Sequence, residues 1–276
     1  MAKAPSQTNQ AGAPVPFATP ETALEIARAI EVFARGFAFT RSFTHPYLAT
    51  RVGPLRVMRD GPRKRHRDYR REEWIAYGVE PAEVDRLARQ GTRSHYALCV
   101  LRGLKEPDGP LREVYKNLGY RLGTTEPLFV HRLRRIPRLV GPYPVSRVAT
   151  ADLAERLAKA AGSRQVLAEH LNEDSPLRQY VALERARPIG WVRSITVGDA
   201  TWVSNMHVES PYRRRGIGQS LLAHLLRDDR FHGATASFLL ASHAGALLYP
   251  RVGYEQIGEL LLFTPKRKAA PRGSAG

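Results

Sequence analysis

The chain has 276 residues, with 43 Lys and Arg against 26 Asp and Glu, for a formal net charge of +17. That length suits two domains of about 130 residues rather than one, and a 43% hydrophobic share lets each bury a core. No run of 18 apolar residues is present, which argues against a membrane-spanning helix, and the single cysteine, Cys99, excludes an internal disulfide.

In chain order, residues 1–20 are rich in Ala, Pro, Gln and Thr, lack a signal-peptide pattern and read as a disordered leader. With the lone cysteine, this sets the expected location as cytoplasmic. A helix is predicted over 21–34 and an irregular stretch over 40–72. Within them, the aromatic run from Phe37 to Tyr47 reads as a core edge, with a pocket wall as the second reading. The basic run 63–71 reads as a solvated loop, with a nucleic-acid or acidic-protein surface as the second reading. A helix over 81–90, a strand over 95–101, a helix over 111–118 and a strand over 128–133 follow. Three prolines and a glycine in 136–144 mark a boundary, giving lobes over 21–138 and 139–265.

The second lobe is predicted as a strand over 145–148 and a helix over 152–161 with Thr150 as N-cap. Next come a hairpin of 178–184 and 188–197 joined near Arg185, a strand over 201–208 and a helix over 216–227. A strand over 234–240, a short helix over 245–249 and a strand over 256–263 close it, and 266–276 reads as a disordered basic tail. This order predicts an α/β (α+β) fold: a mixed, mostly antiparallel sheet flanked by helices. Sliding the chain on itself by 134 residues places Tyr115 on Tyr249, Gly119-Tyr120 on Gly253-Tyr254 and Phe129 on Phe263, which predicts a duplication.

The strongest chemical signal is the run Asn205-Met206-His207-Val208-Glu209-Ser210-Pro211-Tyr212-Arg213-Arg214-Arg215-Gly216-Ile217-Gly218-Gln219-Ser220. A strand ends, a basic loop follows, and two glycines open a helix. The unpaired N–H groups of the first helical turn and the positive end of its dipole then face one point, where an anion binds. The glycines let a diphosphate approach the backbone. Neither a P-loop nor a dinucleotide-binding glycine pattern is present.

Arg213, Gly216 and Gly218 resemble the Arg/Gln-x-x-Gly-x-Gly/Ala motif of the GNAT (Gcn5-related N-acetyltransferase) superfamily. The resemblance continues through Ser242 to Tyr254, where family members carry Asn-x-x-Ala-x-x-Leu-Tyr-x-x-x-Gly-Phe. The Leu248-Tyr249 and Gly253-Tyr254 parts match, while Ser242 and Gly245 depart from it. The resemblance implies a GNAT fold over about 145–264 and acetyl-CoA as co-substrate. It implies acyl and pantetheine contacts at Met206, His207 and Val208, and phosphate contacts among Arg213, Arg214, Arg215, Gly216, Ile217, Gly218, Gln219 and Ser220, with Ser242 beside them.

The same resemblance implies Tyr249 as the acid that protonates the departing thiolate, with His207 or Ser204 assisting the attacking amine. Strand parity leaves the base open, because a bulge at this point would switch the face; Glu169 and His170 are weaker candidates near the acceptor. No metal is expected. The first lobe keeps the tyrosine and glycine anchors but lacks the arginine–glycine loop, so it reads as a degenerate copy that does not bind CoA. The expected partners are acetyl-CoA and an amine acceptor, a small molecule or a protein. Nucleic acid is a secondary candidate, no membrane is expected, and the assembly is a pseudo-dimeric monomer or a homodimer. The competing functional reading is a non-catalytic acyl-CoA sensor or nucleic-acid-associated binder. A ligase using charged tRNA is disfavoured, since it would not need the CoA loop.

Overall fold

The computed structural model describes residues 19–266; the expected leader, apart from Thr19 and Pro20, and the tail beyond Lys266 lie outside them. Helix α1 (Pro20–Arg41) is capped by the Thr19 side chain, which accepts from Thr22 N, and it runs through the predicted aromatic stretch. The expected irregular segment 40–72 instead holds two strands, β1 (Tyr47–Val52) and β2 (Leu55–Asp60), with β3 (Glu72–Ala76) following it. β1 and β2 are joined by a two-residue turn at Gly53-Pro54, with Val52 opposite Leu55. The elements that follow are α2 (Pro81–Gly91), β4 (Tyr96–Gly103), α3 (Asp108–Asn117) and β5 (Tyr120–His131), the last beginning eight residues earlier than its apolar run.

The second half comprises β6 (Val145–Arg147), α4 (Ala151–Ala161), β7 (Leu177–Glu184), β8 (Arg187–Val197), β9 (Ala200–Val208), α5 (Ile217–Phe231), β10 (Ala236–Leu240), α6 (His243–Ala246) and β11 (Glu255–Pro265). Thr150 caps α4 as expected, accepting from Leu153 N. Arg185 takes a positive φ of 56° in the β7–β8 turn. Tyr249–Val252 forms a 3-10 turn rather than the end of an α-helix.

All eleven strands form one sheet in the order β1-β2-β3-β4-β11-β5-β10-β9-β8-β7-β6. The ladders are antiparallel except β3–β4 and β9–β10. The order shows that the halves trade their last strands: β11 lies between β4 and β5, and β5 lies against β10. The antiparallel β5–β11 ladder carries the pseudo-two-fold axis. The 134-residue offset turns the pair Val130–Glu255 into Thr264–Arg121, and Phe129–Gln256 into Phe263–Leu122; all four pairs are present. The duplication read from the anchors is therefore a symmetry of the sheet.

Two cores cover the second half's sheet. On one face α1 and α4 pack with Trp191, Ile195 and Trp202. Gly36 lets α1 come close, since a Cβ there would lie 2.4 Å from Trp202 Cβ. On the other face α5 packs with Val192, Val203 and Tyr249. Asp229 of α5, fully buried, accepts from Arg178 at 2.7 Å, Ser194 at 2.8 Å and Thr201 at 2.8 Å, pinning the helix to three strands. Burying a charge is tolerable only with such pairing.

Candidate active site

β9 and β10 run side by side only from Ala200–Ala236 to Trp202–Phe238. β9 then continues to Val208, while β10 follows β5, pairing Leu240 with Leu128. The two parallel strands part, and the β9 edge from Val203 onward faces a notch. At this level β9 bulges: Trp191 pairs with His207 but Arg193 with Ser204, so β9 carries one extra residue, and Asn205 takes a positive φ of 55°. The bulge settles the parity. Ser204 and His207 share the α1/α4 face, where Ser204 Oγ accepts from Arg193 Nε at 3.2 Å and His207 stacks on Trp191 at 4.4 Å. Met206 and Val208 pack on the α5 face. His207 and Asn205 border a cavity of about 330 Å³ with Gln165 and Ser163, and Asn205 Nδ2 donates to Gln165 Oε1 at 2.6 Å.

At the C-terminal end of β9 the chain turns through Ser210–Tyr212 into Arg213, Arg214 and Arg215, all exposed. Arg213 Nε folds back to the Val208 carbonyl at 2.9 Å, and Arg215 lies over the Tyr212 ring. Arg214 and Gly216 take positive φ values of 62° and 77°, and Gly216 is the N-cap of α5 with no side-chain cap. The N–H groups of Ile217, Gly218 and Gln219 are therefore left to a ligand or solvent. The two glycines differ in duty. Gly216 supplies the left-handed turn, whereas Gly218 allows close packing, since a Cβ there would lie 3.1 Å from Leu248 Cδ2. Ile217 is buried in the core and Gln219 is half-buried. The Ser220 hydroxyl is buried and donates to the Ile217 carbonyl at 3.0 Å. Ser242 caps α6 by accepting from Gly245 N.

Tyr249 is 7% exposed. Its ring sits between Phe129 at 5.6 Å and Tyr254 at 5.7 Å, and burial pushes its phenol up to about 12. Phe129 comes from the first half, so strand exchange supplies one wall of this tyrosine's pocket. His170 lies between the rings of Phe39 and Phe43, where burial lowers its pKa, while Glu169 is exposed.

Two residues escaped the sequence reading. Arg193 is half-buried, and burial lowers its pKa to about 10. A signal for it existed, a cation between Trp191 and Ile195 on a core-facing parity. Glu126 of β5 is half-buried and its carboxyl is raised by burial, with His243 opposing the rise. Nothing in the linear sequence could bring it near β10. Among the described residues no group of three or more His, Cys, Asp or Glu could hold a metal.

Residues 176–256 match the family model for the acetyltransferase (GNAT) domain. Those residues are therefore a GNAT acetyltransferase domain. No curated protein matches it by sequence. Among solved structures, the chain is similar in fold to a GCN5-related N-acetyltransferase from Kribbella flavida, with TM-score 0.61 and 18% identity, over 87% of this chain and 96% of that one. It is also similar to a tandem GNAT protein from the clavulanic acid biosynthesis pathway, with TM-score 0.53 and 14% identity, over 93% and 98% of the two chains. A GCN5-related N-acetyltransferase-like protein from Streptococcus suis aligns with TM-score 0.51 and 12% identity, over 89% and 99%. The chain thus shares the fold of these proteins, the mixed, mostly antiparallel sheet expected. No helix among the described residues is long and apolar enough to cross a membrane.

Proposed function

We propose that this chain moves an acetyl group from acetyl-CoA to a primary amine by direct attack. The observation that carries the reading is the parting of β9 from β10 directly beside the uncapped start of α5. The residues present fit the co-substrate. Free backbone donors at 217–219, a bare Gly216 and three exposed arginines suit a diphosphate, and the unpaired edge at Met206, His207 and Val208 suits the pantetheine arm. Acetyl-CoA supplies an activated thioester carbonyl.

The chain's own groups do the rest. A backbone N–H near Val208 would take the charge growing on the carbonyl oxygen. Tyr249, held protonated by burial, would give its proton to the leaving thiolate. Ser204 accepts a hydrogen bond from a cation, so it is better placed to orient a water than to remove a proton. Stacked His207 is a wall of the site.

The test is thiol release from acetyl-CoA across a panel of amines, amino acids and peptides, with wild type and Tyr249→Phe side by side. Acceptor-dependent release that falls in the variant supports the reading. Acetyl-CoA binding without release for any acceptor overturns it in favour of a non-catalytic acyl-CoA binder.

A further inference from the structure

Beside the notch stand two charged side chains with no ion-pair partner among the described residues, although His243 lies near enough to Glu126 to act on its charge. Arg193, on β8, sits across the ladder from Ser204, one strand away from the β9 wall. Its one hydrogen bond among the described residues runs from Nε to Ser204 Oγ, and no carboxylate of those residues lies within ion-pair distance. Arg102 is matched to Glu259 at 2.6 Å, Arg56 to Glu31 at 2.5 Å and buried Arg178 to Asp229 at 2.7 Å, while half-buried Arg59, Arg147 and Arg227 donate to backbone carbonyls; Arg193 has only the one hydroxyl. Trp191 and Ile195, two residues to either side of Arg193, belong to the apolar core on the α1/α4 face, so its guanidinium is set on that face, away from α5. A partly desolvated guanidinium costs free energy until an anion joins it, and its planar fork matches a carboxylate.

Glu126 stands on the other flank. It precedes Pro127, whose carbonyl accepts from Ala241 N where β10 ends. It shares strand parity with Leu128 and Val130, which lie in the same α1/α4-face core. Among the described residues its carboxylate makes no hydrogen bond or ion pair. The strand order β5-β10-β9-β8 puts Glu126 and Arg193 on opposite sides of the notch, one strand back from each wall. They do not neutralise each other, and the opening lies between them.

We infer that the acceptor is a zwitterion of the amino-acid type, with its carboxylate on Arg193 and its ammonium directed to Glu126 across the mouth of the notch. The inference rests on the acyltransferase reading and names its substrate class. Glu126 takes a proton from the ammonium. The freed nitrogen forms a bond to the acetyl carbon as the carbon–sulfur bond breaks, the thiolate takes the Tyr249 proton, and the second proton lost by the nitrogen as the amide forms restores the Tyr249 phenol, leaving Glu126 to release its proton to solvent.

The test is kcat/KM, at saturating acetyl-CoA, for a set of L-amino acids. Each is compared with its C-terminal amide and with the amine of the same side chain lacking the carboxyl group, in wild type, Arg193→Gln, Arg193→Lys and Glu126→Gln. Wild type should favour the free acids by about 30-fold or more, consistent with one charge-assisted bidentate pair. Arg193→Gln should erase that preference while leaving the amides and amines nearly unchanged, and Arg193→Lys should keep part of it. Glu126→Gln should lower kcat for every acceptor without altering the preference.

Turnover of amides and acids at equal rates in wild type would overturn the inference and leave the acyltransferase reading standing. Loss of activity on all three acceptor kinds alike in Arg193→Gln would reduce Arg193 to a structural role. Thiol release with no acceptor at all would remove both readings. Should the Arg193 variants unfold, calorimetric binding of free acid against amide to wild type with CoA present decides the same point: equal affinities overturn the inference.

Discussion

Tyr115 and Tyr249 occupy equivalent positions in the two halves, and their surroundings are built alike. Phe129 of the first half packs on Tyr249, and Phe263 of the second half stacks on Tyr115 at 4.7 Å. Tyr120 and Tyr254 flank the same pair at 5.9 Å and 5.7 Å. The difference lies in what opens next to them. β3 pairs with β4 along its whole length, Glu72–Tyr96 to Ala76–Val100, so the first half has no parting of strands. Its α2 has Glu80 as N-cap and Glu83 in the first turn, where the second half has Arg213–Arg215 and Gly216. Tyr115 is fully buried with an unpartnered hydroxyl, while Tyr249 keeps some exposure. One frame thus yields a closed copy and an open one, and the strand-pairing length and the charge at one helix start decide which.

The largest effects should come from the crossed phenylalanines. Phe129→Ala and Phe263→Ala should each cost about 3–5 kcal/mol in urea unfolding, the range for a buried aromatic cut to Ala. Only Phe129→Ala should also slow turnover, by about tenfold, because it loosens Tyr249; equal losses of activity in both would break the comparison. Next, Tyr249→Phe should lower kcat by about 100-fold, the low end for general acid catalysis, and Tyr115→Phe should leave it alone. Because burial pushes the Tyr249 phenol up to about 12, wild-type rates should show no alkaline fall from this group below about pH 11.

A smaller effect concerns one of the buried carboxylates of the first half. Burial would raise Asp60, but hydrogen bonds from Arg70 and Arg63 outweigh it and hold the carboxyl at about 2. Its folded pKa lies below the unfolded one, so its contribution is present above about pH 4 and lost as pH falls toward 2, about 2 kcal/mol in all. Asp60→Asn should remove that acid dependence from the unfolding free energy measured between pH 2 and 5. The smallest effect is on stability in Tyr115→Phe, which removes an unsatisfied hydroxyl and should change unfolding by less than about 1 kcal/mol, in the stabilising direction.

The second half was largely legible because its elements are local: a hairpin turn at Arg185, a cap at Thr150, and a strand, basic loop and glycines before α5. The tyrosine and glycine anchors also disclosed the duplication. The segment 40–72 was not legible as sheet. β1 and β2 alternate arginines with apolar residues around Gly53-Pro54, and β3 buries Glu72 and Glu73, which read as surface residues in isolation. Those glutamates are satisfied by Trp74 Nε1, Arg93, Arg71 and the Tyr47 hydroxyl, partners that only the fold assembles. The basic run 63–71 is partly spent in the same way. Arg63 and Arg70 bind Asp60, and Arg71 binds Glu73, leaving Lys64, Arg65 and Arg67 as its outward charges. Exchange of the last strands was out of reach, because hydrophobic pattern fixes which face a strand buries but not which neighbour it chooses. Glu126 was missed for that reason.

The exchange also sets the order of assembly. As the chain is synthesised, β4 is made more than 150 residues before its second partner strand, Glu255–Pro265. The first half cannot complete its sheet until Glu255–Pro265 has been made, and contacts of such long separation close late and slowly. Maturation of both lobes should therefore be a single event that waits for Glu255–Pro265, and a ribosome stalled short of Glu255 would display an unfinished sheet edge for chaperones to cover.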